Sequence, residues 1–155
     1  MGYRIQEVAA GHVGGVIELV STVLAEFGLT FGEGSATDAQ VVDLPDSYRG
    51  SGGEFWVALS DEGAVVGTCG VFPVNPDDFE LRKMYLLPET RGAGLGPALL
   101  ERAVDFARGR GALHLVLDTV DGMERAIHFY EAHGFVRDDA QVRGSRCTRG
   151  YRRDL

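Results

Sequence analysis

The chain has 155 residues, of which 45% are hydrophobic, so residues 1–155 are expected to form one domain, without room for a second catalytic domain. Its formal net charge of −8 argues against nucleic acid or an anionic membrane as the main partner, because both bind positively charged surfaces. No apolar stretch approaches the roughly 18 residues of a membrane span, and the charged, alternating start does not resemble a signal peptide, so a cytoplasmic protein is expected.

The first third of the chain predicts a strand, a helix and then a long loop. Residues 3–8 alternate like a strand, and residues 12–27 repeat apolar side chains at helical spacing before Gly28. Residues 29–53 are rich in glycine and show no sustained periodicity. They are therefore predicted to be a mobile loop with at most one short helix, near 37–44.

The remainder of the chain alternates between strand and helix patterns. Strands are predicted at 54–60, 64–72, 79–87 and 113–119, helices from about 98 to Gly109 or Gly111 and at 123–133, and a closing hairpin at 135–142 and 146–153. The predicted order is strand, two helices, three strands, helix, strand, helix and two strands. These elements are typical of a mixed α/β domain.

An arginine followed by three alternating glycines stands between the fourth predicted strand and the next helix, as Arg91-Gly92-Ala93-Gly94-Leu95-Gly96. Glycine lets the backbone approach a ligand closely, and the free amides of a helix's first turn attract phosphate oxygens. A nucleotide P-loop is excluded because Pro97-Ala98 follows where Lys and Ser or Thr are needed. A dinucleotide site is weakly supported, because Pro97 stands where its last glycine belongs.

Three segments, in their order and spacing, resemble the GCN5-related N-acetyltransferases, the GNAT superfamily. Arg91, Gly94 and Gly96 fill the fixed positions of that family's coenzyme A loop, Gln/Arg-x-x-Gly-x-Gly/Ala. Residues 80–88 resemble the strand before the loop, and residues 126–135 resemble the family's second motif, with the ending A-I-x-F-Y-E-x-x-G-F. The resemblance implies the GNAT fold, a central mixed and largely antiparallel seven-stranded sheet flanked by about four helices.

The resemblance also implies acetyl-CoA as co-substrate. The amides of the glycine loop would bind its pyrophosphate, and the main-chain amide of Met84 would lie near the acetyl carbonyl, with the following backbone beside the pantetheine arm. The coenzyme-binding residues expected on this basis are Met84, Tyr85, Leu86, Arg91, Gly92, Ala93, Gly94, Leu95 and Gly96. Arg91 either adds charge at the phosphates or closes the loop.

The cysteines give no sign of a metal site or a disulfide framework. Cys69 and Cys147 stand alone, outside any Cys-x-x-Cys pattern or Cys/His cluster. We therefore expect no metal, and both cysteines are predicted to be small buried residues on strands.

Glu80 is the candidate general base. It lies eleven residues before Arg91, the offset at which one branch of the family places its general-base glutamate. The alternative is a solvated carboxylate at the edge of a strand. Strand alternation predicts two faces, one with Glu80, Arg82 and Met84 and the other with Leu81, Lys83 and Tyr85.

Tyr130 is the candidate general acid, because it falls on the tyrosine that GNAT enzymes commonly use toward the coenzyme A thiolate. The alternative is a half-buried aromatic residue with a structural hydrogen bond. Met123 departs from the family pattern, since many members have an asparagine three residues before the second motif. A polar contact to the coenzyme arm is therefore expected to be missing, or to come from Glu124 or the main chain.

The acceptor is expected to be a primary amine of a small molecule, amino acid or peptide, attacked directly in a ternary complex. Acids outnumber bases from Glu26 to Glu54, which predicts either an acidic rim that attracts a cationic amine or a solvated acidic loop. A homodimer would be in keeping with the family. The alternative function is a catalytically weak acyl-CoA-binding sensor or regulatory module, against which the presence of Glu80 and Tyr130 argues.

Overall fold

A computed structural model describes residues 2–33 and 36–155. Within these residues, the strands are β1 Arg4–Glu7, β2 Glu54–Leu59, β3 Val65–Pro73, β4 Asp78–Leu86, β5 His114–Thr119, β6 Val136–Arg137 and β7 Arg149–Asp154. They form one seven-stranded sheet in the order β1-β2-β3-β4-β5-β7-β6. All neighbours are antiparallel except β4 and β5, which are parallel. The predicted mixed, largely antiparallel sheet is confirmed.

The α-helices of the described residues are α1 Val13–Ala25, α2 Asp38–Val42, α3 Asp46–Arg49, α4 Leu95–Gly109 and α5 Glu124–Ala132. Short 3₁₀ helices lie at Ala10–His12, Pro88–Thr90 and Asp139–Gln141. None of the helices in this part of the chain has the length and apolar character that a bilayer span requires.

The stretch predicted as a mobile loop contains two short helices, α2 and α3, rather than at most one. The reason is burial, because Val41, Leu44 and Tyr48 are almost fully shielded from solvent and belong to one apolar cluster with α1. Widely spaced anchors of this kind leave no helical period in the sequence. Both short helices are therefore packed in the same apolar cluster as α1.

Two apolar clusters place helices on both faces of the sheet. One contains Leu99 and Ala103 of α4 with Leu81 of β4, and the other contains Val16 and Val20 of α1. The segregation follows from helical spacing, which gives each helix one apolar face that must be buried.

The two parallel strands at the centre of the sheet separate. On one edge, β5 pairs with β4 only at Asp78, Phe79 and Glu80. On its other edge, β5 pairs with β7 along its whole length. From Leu81 onward, one edge of β4 has no partner strand among the described residues. Main-chain hydrogen-bonding groups on that edge are available to a ligand that lies beside it.

A bulge in β4 changes which side chains share a face. The register with β3 shifts between Thr68 and Gly70, and Lys83 has φ 53°, a conformation that side chains other than glycine seldom adopt. The hydroxyl of Thr68 donates to the Lys83 carbonyl at 2.7 Å and holds the bulge. An extra residue here reverses the alternation that follows it.

The predicted faces of β4 are therefore wrong beyond Arg82. Met84 packs with the α4 cluster, on the same side as Leu81. Lys83 and Tyr85 lie on the opposite side with Arg82: Arg82 and Lys83 contact α2, and Tyr85 packs with the α1 cluster. The bulge thus brings two adjacent cations to one face.

The closing hairpin is shorter than predicted. β6 has two residues and β7 begins at Arg149, so residues predicted as strand form a loop from 142 to 148. Asp118 holds this loop by accepting hydrogen bonds from the amides of Arg143 and Gly144 at 2.7 and 2.8 Å. Cys147 lies in the loop, which contradicts its predicted place on a strand, whereas Cys69 is buried on β3 as predicted.

Candidate active site

A cavity of about 1160 Å³ opens where β4 and β5 separate. Its walls come from the second half of β4, the end of β5, the start of α4, α5 and the loop at 143–147. The site residues predicted from sequence that line it are Glu80, Met84, Tyr85, Leu86, Arg91, Gly92, Gly94, Gly96 and Tyr130. Ala93 and Leu95 do not line it, and the Leu95 side chain packs with Ala58 and Val66 instead.

Main-chain amides cluster at one end of this cavity. The amides of Gly92, Gly94, Leu95 and Gly96 have no hydrogen-bond acceptor within residues 2–33 and 36–155. The last two belong to the first turn of α4, where the helix dipole is positive, and Pro97 has no N–H to add. Unpaired amides at the start of a helix of 15 residues suit a phosphate or pyrophosphate.

The three glycines of the loop are needed for two different reasons. Gly92 and Gly94 have φ of +84° and +83°, in the left-handed region that glycine adopts without strain. Gly96 is instead closely packed, because a Cβ atom there would lie 3.2 Å from Cε1 of Phe129 on α5. The glycine spacing therefore sets both the path of the loop and its contact with α5.

Arg91 closes the loop. Its guanidinium binds both carboxylate oxygens of Glu26 at 2.9 and 3.0 Å, and it donates to the carbonyl of Leu86 at 3.0 Å. These contacts join the loop to α1 and to the end of β4. Of the two roles expected for Arg91, its contacts within the chain support the structural one.

A substitution at Gly94 tests whether the backbone conformation of the glycine loop is needed to bind acetyl-CoA. Gly94→Ala places a side chain at positive φ, which costs on the order of 1–2 kcal/mol, although no atom lies within 4 Å of the new Cβ. We expect KM for acetyl-CoA to rise several-fold. Gly109→Ala is the matched control, because its Cβ also meets nothing within 4 Å and its helical backbone suits alanine. Equal KM values for the two variants, measured by steady-state kinetics, would contradict this role of the loop.

Glu80 is buried where the two central strands part. It is the last residue of β4 that pairs with β5, and 4% of its surface is exposed. Its carboxylate accepts a hydrogen bond from Nε of Arg82 and lies 3.4 Å from Nη1 of Arg143. The predicted alternative of a solvated strand-edge carboxylate is excluded, since this side chain is shielded and held from two sides.

Arg82 holds Glu80 from a fixed position. Its guanidinium lies over the ring of Phe72, 4.2 Å from the centroid, and donates to the side-chain oxygen of Gln40 at 2.7 Å. Gln40 belongs to α2, so the segment between α1 and β2 helps to orient the carboxylate. A group held in this way is preorganised rather than free to rotate.

Tyr130 lines the same cavity from α5. Its ring packs between those of Phe129 and Phe135, with centroid distances of 5.8 and 5.6 Å. Its hydroxyl has no hydrogen-bond partner within the described part of the chain, which contradicts the alternative of a structural hydrogen bond. Burial raises the pKa of Tyr130, so the hydroxyl stays protonated and can donate to a ligand atom.

Two arginines that no sequence motif points to, Arg143 and Arg146, also line the cavity. Arg146 contacts the carbonyl of Glu33 at 2.9 Å and the carboxylate of Asp38 at 3.4 Å. A usable signal exists in the sequence, since these arginines stand in a glycine-containing break between two strands of an acidic chain. Their place in the cavity depends on Asp118, which no local pattern reveals.

Met123 takes the position at which an asparagine is common in the family. It is buried at the start of α5, lines the cavity, and its sulfur accepts a weak hydrogen bond from Thr119 at 3.6 Å. Its side chain therefore offers the cavity a soft apolar surface. Glu124 lines the cavity beside it.

Several acids between Glu26 and Glu54 are already paired with cations. Glu26 binds Arg91, Asp38 binds Lys83, and Glu54 binds Arg49. These paired carboxylates do not form a free acidic rim. Among residues 2–33 and 36–155, no group of three or more His, Cys, Asp or Glu side chains is arranged to hold a metal ion.

Comparison with known proteins identifies the family. The acetyltransferase (GNAT) family model matches residues 21–135. The chain is also 36% identical over 128 residues to the uncharacterized N-acetyltransferase YjgM of Escherichia coli K12, covering 80% of this chain and 76% of that protein. The chain belongs to the GNAT acetyltransferase family. As a GNAT member, it is an acyl-CoA-dependent N-acetyltransferase.

Solved structures show the same GNAT fold. An acetyltransferase of the GNAT family from Staphylococcus aureus superposes with a TM-score of 0.91 over 99% of both chains, at 23% identity. A GNAT phosphinothricin acetyltransferase from Sinorhizobium meliloti, solved in complex with AcCoA, superposes with a TM-score of 0.79 over all of this chain and 89% of that chain, at 22% identity. At these identities the comparison establishes the fold.

Proposed function

We propose that the chain transfers the acetyl group of acetyl-CoA to the primary amine of a small molecule, amino acid or peptide by direct attack in a ternary complex. One observation carries this proposal: a single cavity joins unpaired amides at the start of α4, the open edge of β4, Glu80 and Tyr130. A phosphate site, an unpaired strand edge and two acid–base groups are what thioester aminolysis requires.

The coenzyme would be held by main-chain groups. The unpaired amides of Gly92, Gly94, Leu95 and Gly96 would bind the pyrophosphate, whereas the amide of Ala93 already donates to the carbonyl of Thr90 at 3.4 Å. The edge of β4 from Met84 to Leu86 binds the pantetheine arm, and the amide of Met84 polarises the thioester carbonyl. Since a backbone donor does not depend on the side chain, a Met84 substitution should reshape the pocket more than abolish turnover.

The proposed chemistry assigns one proton transfer to each catalytic side chain. Glu80, directly or through a water molecule, accepts a proton from the amine as its nitrogen attacks the thioester carbon. The carbon–sulfur bond then breaks, and the hydroxyl of Tyr130 donates to the departing thiolate. The products are the acetylated amine and coenzyme A with a free thiol.

The cysteines support direct attack over an acetyl-cysteine intermediate. Cys69 is fully buried. The Cys147 thiol lies at the cavity wall, where burial and the nearby carboxylate of Asp118 raise its pKa to about 12. A thiol is nucleophilic only as its thiolate. Neither cysteine is therefore suited to accept the acetyl group near neutral pH.

Glu80→Gln tests the base. The substitution keeps the size of the side chain and a hydrogen-bond acceptor for Arg82 but removes the charge that accepts a proton. We expect kcat at saturating acetyl-CoA to fall tenfold or more, a smaller loss than the roughly hundredfold minimum usual for general acid–base groups, because a water can relay the proton. The measurement is release of free thiol from acetyl-CoA in the presence of amines.

The matched control for this substitution is Glu54→Gln. Glu54 is also a buried glutamate on a strand, bound to an arginine, Arg49, at 3.0 Å, but it does not line the cavity. Its substitution is expected to leave kcat unchanged. Unchanged kcat in Glu80→Gln as well would remove Glu80 from the mechanism.

A further inference from the structure

The charge of the cavity differs in sign from that of the protein. The whole chain has a formal net charge of −8. The cavity wall instead has more positive than negative side chains, with Arg82, Lys83, Arg91, Arg125, Arg143 and Arg146 against Glu26, Glu80, Asp118 and Glu124. A pocket that selects only a cationic amine would have the opposite balance. The phosphates of the coenzyme account for positive charge beside the glycine loop, but not for the cations that contact Glu80 and Asp38.

Two of these cations contact the candidate base, and two more contact a carboxylate on α2. Arg82 and Arg143 both contact Glu80, and Lys83 and Arg146 both contact Asp38, immediately behind the cavity wall. Two carboxylates are thus shared by four cations. Arg143 and Arg146 lie 3.4 Å from these carboxylates, and their shorter hydrogen bonds go to uncharged oxygens of Gln141 and Glu33. Neither guanidinium is therefore neutralised by a short ion pair, and both can attract a further anion.

The positions of Arg143 and Arg146 are fixed by their own loop. The carboxylate of Asp118 accepts hydrogen bonds from the amides of Arg143 and Gly144. The guanidinium of Arg146 donates a hydrogen bond to the carbonyl of Glu33. The side chain of Arg146 is 14% exposed and that of Arg143 is 39% exposed. Cations that are already positioned cost little ordering when they bind a ligand, and a guanidinium matches the geometry of a carboxylate.

We propose that the acceptor carries a carboxylate beside its primary amine, and that Arg143 and Arg146 bind this carboxylate while the amine lies next to Glu80. Because Arg143 is 3.4 Å from the Glu80 carboxylate, an acceptor with only one or two carbon atoms between its amine and its carboxylate can reach both. The acceptor is then an α- or β-amino acid. This inference rests on the proposed acetyl transfer and narrows its substrate class.

The test compares acceptors that differ only at the carboxyl group. Thiol release from acetyl-CoA is measured with a pool of L-amino acids and with the matched pool of their carboxamides, below saturation, so that rates report kcat/KM. The wild-type protein is expected to prefer the acids by tenfold or more, which is the order expected for charge-assisted hydrogen bonds. Equal or faster reaction with the carboxamides would overturn the inference.

Substitution of each arginine tests whether it causes the preference for acids over carboxamides. Arg146→Gln is the cleaner variant because Arg146 has no contact with Glu80, and Arg143→Gln is the second. Each variant is expected to lower the ratio of the acid rate to the carboxamide rate on the order of tenfold. The loss should come from a higher KM for the acid. Since the ratio is measured within one variant, partial loss of folded protein cancels. Arg4→Gln, on the exposed edge strand β1, should leave the ratio unchanged, and an unchanged ratio in both Arg143→Gln and Arg146→Gln would also overturn the inference.

Failure of the inference and failure of the proposed function give different results. Turnover of amines that lack a carboxylate, without preference for the acids, would overturn the carboxylate site and leave the acetyltransferase proposal intact. Absence of thiol release with every amine, while calorimetry detects acetyl-CoA binding, would overturn the proposed transfer and the inference with it.

Discussion

Tyr130→Phe is expected to lower kcat about hundredfold, which is the lower end of the range for a positioned acid. The substitution removes the hydroxyl that would donate to the departing thiolate. It keeps the ring that packs between Phe129 and Phe135, and the hydroxyl has no partner within the described residues. The free energy of unfolding should therefore change by less than about 0.5 kcal/mol. Steady-state release of free thiol from acetyl-CoA gives kcat, and thermal unfolding gives the change in stability.

Tyr151→Phe supplies the opposite control. The ring of Tyr151 lies 6.5 Å from that of Tyr130, but its hydroxyl donates to Glu131 at 2.8 Å and does not line the cavity. Loss of this hydrogen bond should cost about 1 kcal/mol of stability without lowering kcat. If Tyr130→Phe retains wild-type kcat while it melts like the wild type, the hydroxyl is not the acid.

The largest effect on stability is expected from Asp38→Asn. Asp38 and Lys83 form a buried ion pair, with 1% and 4% of their side chains exposed. The carboxylate of Asp38 also accepts a hydrogen bond from the amide of Gly32 at 2.7 Å. Asparagine would leave the ammonium of Lys83 buried without a counter-charge. The free energy of unfolding should fall by about 3–5 kcal/mol, which lowers Tm on the order of 10 °C for a domain of this size.

The pH dependence of this contribution follows from the pKa of Asp38. Burial raises that pKa, but the hydrogen bonds from Lys83 and Gly32 and the charges of Lys83 and Arg146 outweigh it, so the pKa lies below its ordinary value of 3.8. A lowered pKa in the folded state gives stability above the unfolded pKa, which is lost as pH falls through the folded value. The difference in Tm between wild type and Asp38→Asn should therefore shrink below about pH 4.

Two further variants isolate the pair from general packing. Asp38→Asn combined with Lys83→Met removes both charges and should recover most of the lost stability, because a buried pair replaced as a whole is often nearly neutral. Glu26→Gln breaks the more exposed pair with Arg91 and should cost less than about 1 kcal/mol. A cost for Asp38→Asn no larger than that of Glu26→Gln would show that the buried pair does not stabilise the fold.

Local patterns in the sequence predict much of the sheet and the coenzyme end of the cavity. The strand before the loop, the glycine loop and α5 lie close to their predicted positions, because alternation, glycine spacing and helical periodicity are properties of neighbouring residues. The predicted residues Glu80 and Tyr130 both line the cavity. The amides of Gly92, Gly94, Leu95 and Gly96 have no acceptor within the described residues, and their binding of pyrophosphate stays a prediction.

The acceptor end could not be predicted in the same way. The bulge at Lys83 could not be predicted, because its positive φ falls on a residue other than glycine. It is held by contacts with Thr68 and Asp38, which lie 15 and 45 residues away in the chain. Arg143 and Arg146 reach the cavity because Asp118, on another strand, fastens their loop. Such long-range contacts decide the charge of the acceptor pocket and leave no periodic signal in the sequence.

The most direct test of the account is thiol release from acetyl-CoA over a broad panel of pooled amines, coupled to mass spectrometry of the amines. Wild-type protein should release thiol only when an amine is present, with one acetylated amine formed for each thiol released. Binding of acetyl-CoA by calorimetry without amine-dependent thiol release would contradict the account and favour a coenzyme-binding sensor.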